Sequence, residues 1–320
     1  MRRSATLLLL VLLSACSSES SPTSASGSAG NGGGGAAAGA PSAGGSAGNG
    51  DVVLHGGVVV TLHPPSDTDG YTTAIGRFFD GAQPEILALE PRLEQAECTL
   101  FVPKAPFCNV PCAPAVCTSD DVCTDYPMPR AVGTLKLDGL GAAVSMEPTS
   151  SLLVYQSPSL AYPPCEPGAP VSASATGVAL QADCIAPLTL LGPDPLPIVA
   201  GSPLHLSWLA ADDTSHSRLR IKLDVSHHGG SKGEIDCEVP DTGSYDIPAA
   251  MLTELLGLGL AGFPTINLNR VALGADVGNP HLSLVLSSDI TRAVDTGIVS
   301  CVDATTCPDG QSCLDGGICG

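Results

Sequence analysis

From Arg218 to Val225 the chain alternates without interruption: Arg218, Arg220, Lys222 and Asp224 hold one phase, Leu219, Ile221, Leu223 and Val225 the other. Side chains of an extended backbone point to opposite faces in turn, so this pattern predicts a strand with one wetted face and one face on a core. Leu135 and Leu137 alternate in the same way with Thr134, Lys136 and Asp138, as do Leu204, Leu206 and Trp208 with His205 and Ser207. Ile266 and Leu268 sit between Thr265, Asn267 and Asn269, and Leu282, Leu284 and Leu286 keep the same period. Val58–Leu62, Thr72–Phe79 and Cys98–Val102 are β-type runs nearer the N-terminus. Clusters of Pro, Gly, Asp and Asn separate these runs. The predicted fold class is all-β: an antiparallel β-sandwich, Ig-like or similar, with one short helix, two small disulfide-rich knots and Trp208 in its core.

The helix is expected after Asp246, which can cap it. Pro248 falls near the first turn, where its missing N–H costs nothing, and Met251, Leu252, Leu255 and Leu256 form an apolar stripe ending at Gly257. Residues Gly257 to Gly262 satisfy G-x-G-x-x-G, but they follow a helix instead of opening one, so a helix stop is expected and not a phosphate cradle.

The first 15 residues follow another logic. Arg2 and Arg3 precede an apolar run from Leu7 to Leu13, then Ser14 and Ala15 lead into Cys16. The run is far shorter than the roughly 20 residues a membrane helix needs, and it reads as a secretory signal. Leu13-Ser14-Ala15-Cys16 resembles the lipobox of bacterial lipoproteins, which implies a diacylglyceryl group on the Cys16 sulfur, cleavage before it and acylation of the new N-terminus. Ser17 after the cysteine implies passage to the outer membrane. Residues 17–50 contain 11 glycines, 9 serines and 8 alanines, a composition that cannot form a core and reads as a tether.

Removing residues 1–15 takes away two arginines and no acid, leaving 11 basic against 32 acidic residues, a charge of −21. Nucleic acid is a poor partner for such a chain. Aromatic residues make up only 3%, which counts against glycan-binding platforms.

Twelve cysteines remain beyond Cys16, and an exported chain is expected to oxidise them in pairs. Cys108, Cys112, Cys117 and Cys123 form one dense knot without the C-x2-C knuckle of zinc clusters, and Cys301, Cys307, Cys313 and Cys319 form a second with equal gaps. Four cysteines permit three pairings. Neighbour pairing protects little chain, whereas interleaving closes overlapping loops of equal length in the tail, with turns at Asp309-Gly310 and Asp315-Gly316. The expected pairs are Cys301 with Cys313 and Cys307 with Cys319, and by analogy Cys108 with Cys117 and Cys112 with Cys123. Cys165 and Cys184 are then expected to close a proline-rich loop, which leaves Cys98 for Cys237.

Candidate chemistry is sparse. Asp212-Asp213-Thr214-Ser215-His216-Ser217 gathers acid, hydroxyl and imidazole, but neighbours within one loop seldom converge as a triad does. His227-His228-Gly229-Gly230 is the most unusual polar cluster: adjacent histidines on a strand diverge, and only a turn lets both reach one ligand, with His205 or His281 as a third. No catalytic residue, resident metal or cofactor is expected.

Ser226-His227-His228-Gly229-Gly230, Ile235-Asp236-Cys237, and Asp241-Thr242-Gly243-Ser244 leading into Ile247-Pro248-Ala249 carry a wider resemblance. With the lipobox, the tether, the β-rich body, the cysteine cluster leading into Tyr126-Pro127 and the tail Cys-x5-Cys-Pro-x-Gly-Gln-x-Cys, the chain resembles a family of uncharacterised Gram-negative surface lipoproteins. That resemblance implies architecture and location, not activity. The expected organisation is a signal over 1–15, the lipidated Cys16 and tether over 16–50, an N-terminal β module over 51–130, a β-sandwich over 131–299 and a Cys-rich tail over 300–320. The expected function is that of a non-catalytic surface interaction or structural module held to the outer membrane by the lipid on Cys16, on its periplasmic or cell-surface face, with a protein or matrix partner. The alternatives are an extracytoplasmic metal-binding protein or hydrolase using the His227-His228 turn, and a glycan-binding sandwich.

Overall fold

The computed structural model describes residues 53–65, 69–86, 88–211, 216–225, 232–260, 263–297, 307, 312–314 and 318–319. They lie within one compact unit, Gly50–Gly320. Its strands begin with β1 (His55–His63), β2 (Tyr71–Phe79), β3 (Ala88–Gln95), β4 (Cys98–Lys104), β5 (Val116–Ser119), β6 (Val122–Thr124) and β7 (Leu135–Asp138). There follow β8 (Val144–Met146), β9 (Tyr155–Gln156), β10 (Pro170–Ala175), β11 (Val178–Asp183), β12 (Leu190–Leu191), β13 (Leu196–Pro197) and β14 (Leu204–Trp208). The last are β15 (Arg218–Asp224), β16 (Glu234–Pro240), β17 (Ser244–Ile247), helix α1 (Ala249–Gly257), β18 (Thr265–Ala275), β19 (Leu282–Asp295), β20 (Cys313–Leu314) and β21 (Ile318–Cys319).

The fold is all-β. Ten strands form one sheet in the order β3-β4-β16-β15-β18-β19-β1-β2-β9, with β13 also on β19, so strands from either side of residue 130 share it. The sheet is mixed and not wholly antiparallel, because β1 and β13 both run parallel to β19. Gly57 lets β1 lie there: at φ +148° it adopts a backbone that L side chains rarely take, and a Cβ would fall on the Ser283 carbonyl.

Alternation decides the two faces. On β18 the even positions Ile266, Leu268 and Ala272 are buried, and on β19 so are Leu282, Leu284, Leu286 and Val294. These long strands feed two apolar cores on the same face. One joins β1 and β2 to a four-stranded sheet, β11-β10-β7-β8, through Val60, Phe78, Leu135, Leu137, Val171 and Leu180. The other joins β4, β15 and β16 to a three-stranded sheet, β12-β14-β17, and to α1.

Met251, Leu252 and Leu255 of α1 are fully buried, as the stripe requires. The cap differs from expectation: Pro248 holds the N-cap, its carbonyl accepting from the N–H groups of Met251 and Leu252. Asp246 lies instead on β17, bonded to His205.

Cys98 is bonded to Cys237, its register partner across β4 and β16, Cys108 to Cys117, Cys112 to Cys123 and Cys165 to Cys184. The chain between Cys165 and Cys184 is not a long proline-rich loop, because β10 and β11 pair within it as a hairpin. In the tail, Cys307 is disulfide-bonded and Cys313 stands opposite Cys319 across β20 and β21. The interleaved pairs of the tail include Cys301, which lies outside the described residues. Cys117 and Cys123 face each other across β5 and β6 in the same manner as Cys313 and Cys319.

Candidate functional site

Among the described residues, four places hold polar or exposed groups beyond ordinary surface. The first is a buried seam between the two cores. Arg270 sits at an inward position of β18, flanked in register by Leu219 and Ser288, and is fully buried. Its guanidinium donates to both carboxylate oxygens of Asp241, Nε at 2.6 Å and Nη2 at 3.0 Å, and to the carbonyls of Ala186, Pro187 and Leu209. Asp241, also fully buried, accepts from Trp208 Nε1 and Ser217 Oγ, each at 2.7 Å. Burial alone would raise the Asp241 pKa, but the hydrogen bond and charge of Arg270, with the Ser217 and Trp208 bonds, hold it below the usual carboxylate value. Each of these groups has a partner inside the protein, and the seam ties the loops at Ala186, Pro187 and Leu209 to β18. Trp208 is core, as expected, and Ser217 belongs to this network and not to a loop triad. Arg270 was legible as the one charge on the apolar phase of its strand.

The second place is a groove of about 210 Å³ lined by His216, Ser217, Arg218, Glu238, Val271 and Leu273. His216 Nδ1 lies 2.6 Å from Asp183 Oδ2, and among the described residues the hydroxyl that lines the groove, Ser217 Oγ, donates into the seam. Among the described residues no hydroxyl is therefore left to complete a triad with this pair.

The third is an acid cluster on the outer face. Lys222 faces Asp236 across β15 and β16, and its Nζ is 2.6 Å from Glu234. One oxygen of Asp236 is buried without a hydrogen-bond partner. Burial first, then the charges of Glu234 and Asp224, push the Asp236 pKa up to about 6, against the opposing pull of Lys222 and Arg220. The folded state therefore binds a proton more tightly than the unfolded chain. Stability from this group is fully present below about pH 4 and is lost as pH rises through about 6. Asp236→Asn is expected to gain about 1–2 kcal/mol over wild type at pH 7.5 and nothing at pH 4, read from urea midpoints at both pH values.

The fourth is the first knot. Cys108, Cys112 and Cys123 hold their sulfurs within 4.8 Å of one another, but all three are already spent in disulfides, so thiolate ligation would require reduction. Asp120 accepts from the Phe107 N–H, and Asp121 from the backbone and side chain of Asn109. The exit from the knot is tied down by Asp80, which accepts from the Met128 N–H and from Arg130. On this fixed scaffold Phe107 is 68% exposed, Val110 74% and Met128 64%, with Val122 and Tyr126 also exposed.

His227 and His228 lie outside the described residues, as do Cys16 and Asp212 to Ser215. The two histidines considered as a third ligand stand apart in their contacts: His205 is bonded to Asp246, and His281 stacks on His55 at 4.3 Å between ring centroids. The exposed apolar residues of the knot leave no signal in the sequence, because single exposed hydrophobics carry no period. No protein-family model matches the chain, and no curated protein is detectably similar to it.

Proposed function

We propose that this chain is an outer-membrane-anchored lipoprotein acting as a non-catalytic surface interaction module, held by lipid on Cys16 and binding a protein or matrix partner through its first knot. The observation that carries this reading is the set of exposed large apolar side chains, Phe107, Val110 and Val122 on a knot locked by two disulfides and Tyr126 and Met128 on the segment that leaves it. Rigid exposed apolar groups lose little entropy on binding, and contiguous apolar surface marks interaction sites. The signal, lipobox and tether of the N-terminus support the anchor.

Two arms test the reading. Cys16→Ser is expected to leave the precursor uncut and to move it out of the membrane fraction; unchanged partitioning overturns the anchor. Full-length protein used as bait on outer-membrane and extracellular fractions is expected to retain a partner that the variant Phe107→Asp with Val110→Asp loses. Equal retention by both baits overturns the knot as the binding surface.

A further inference from the structure

The two disulfides of the first knot are close enough to react with each other. Cys108 is bonded to Cys117 and Cys112 to Cys123, yet Cys108, Cys112 and Cys123 hold their sulfurs within 4.8 Å of one another. Cys117 and Cys123 are register partners across β5 and β6. Side chains of register partners share a face, and the Cα separation of such a pair falls in the range a disulfide spans. A second pairing, Cys108 with Cys112 and Cys117 with Cys123, is therefore within reach of the folded knot. Hydrogen bonds also hold its segments together without the sulfurs: the Asp121 N–H donates to the Phe107 carbonyl, the Phe107 N–H to Asp120 and the Asn109 N–H to Asp121. Cys123 is exposed and Cys108, Cys112 and Cys117 are half-buried, whereas Cys98 and Cys237 are buried.

We propose that the first knot is a thiol-triggered switch between these two disulfide isomers. An external thiolate attacks Cys117 Sγ and forms a mixed disulfide there, while the bond to Cys108 breaks and its electron pair leaves on Cys108 Sγ. The Cys108 thiolate then attacks Cys112 Sγ, which forms Cys108–Cys112 and expels the Cys123 thiolate. Cys123 closes on Cys117 and returns the external thiolate, so two bonds have exchanged with no net oxidation or reduction. The freed Cys108 sulfur already has its target within 4.8 Å, so the internal step outruns a second external attack. The consequence rests on the reading of the knot as the binding surface. Interleaved bridges tie the segment carrying Phe107 and Val110 to the hairpin carrying Val122. In the other isomer segment and hairpin are each bridged only within themselves, so thiol exposure loosens the apolar set.

Incubating the oxidised full chain with reduced glutathione at about pH 8, quenching in acid and mapping the bridges by mass spectrometry of peptic peptides tests this. The interleaved pairs are expected to give way in part to Cys117–Cys123 and Cys108–Cys112, with Cys98–Cys237 unchanged. A knot that stays interleaved, or is reduced without forming the new pairs, overturns the proposal. Cys108→Ser with Cys112→Ser leaves Cys117 and Cys123 alone on the hairpin, and the knot is expected to show no free thiol; two labelled knot thiols per molecule overturn it as well. Cys108→Ser with Cys117→Ser removes the internal attacker and is expected to slow loss of the Cys112–Cys123 bridge at least about tenfold, and an equal rate in wild type and variant is a third contrary result. The map requires no partner, so its failure leaves the binding surface standing, and a failed pull-down leaves the switch standing.

Discussion

Asp241→Ala is expected to destabilise the fold by about 3–5 kcal/mol, because it leaves the Arg270 guanidinium charged and unpaired in a site with no water contact. The same change strips the acceptor from Trp208 Nε1 and Ser217 Oγ, and each buried donor left unsatisfied adds to the cost. Asp241→Asn should cost less, since an amide oxygen still accepts while the charge is lost. The pair Arg270→Met with Asp241→Leu removes the buried charge but orphans the carbonyls of Ala186, Pro187 and Leu209, so it is expected to fall between wild type and Asp241→Ala. Guanidinium midpoints of the three variants check the order. A cost below about 1 kcal/mol for Asp241→Ala would mean that the seam opens to water. Since the folded Asp241 pKa is depressed, its contribution is present above the unfolded value near 4 and is lost as pH falls through the folded one.

Removing the Cys98–Cys237 bridge as the double alanine variant is expected to cost about 3–5 kcal/mol, because it frees a loop closed across 139 residues. Both cysteines are buried against the second core, so the variant also loses packing there. The Cys108–Cys117 bridge closes only 9 residues on an exposed knot, and its loss should leave the guanidinium midpoint of the body nearly unchanged. Limited proteolysis then separates the two cases: new cuts confined to residues 105–128 for the knot variant, and loss of the whole body for the other. A shift of equal size in both would mean that the knot is part of the cooperative unit.

Much of the strand content was legible where leucine and isoleucine alternate with charged or polar residues, as they do along β15 with Leu219, Ile221 and Leu223 buried between Arg218, Arg220 and Lys222. The runs at 204–208 and 218–224 coincide with β14 and β15. Helix α1 was legible from its stripe but not from its cap, since a proline carbonyl can serve where no side chain does. The parallel pairing of β1 with β19 was not legible. Nothing in Val58–Leu62 names a partner more than two hundred residues away, and both strands read as ordinary apolar alternation. The seam was half-legible: Arg270 breaks the apolar phase of β18, while Asp241 follows Pro240 and looks like a turn residue.

The parallel contact between β1 and β19 also sets an order in time. Gly56 pairs with Leu282, so β1, the first described strand, has one of its two neighbours near the far end of the chain. Until then β1 can hold β2 as a hairpin, but one edge stays open and the first core lacks Leu282, Leu284 and Leu286. Local hairpins can form as the chain emerges, whereas closure of the large sheet waits for nearly the whole length, which makes folding slow and leaves a nascent apolar edge in need of shielding.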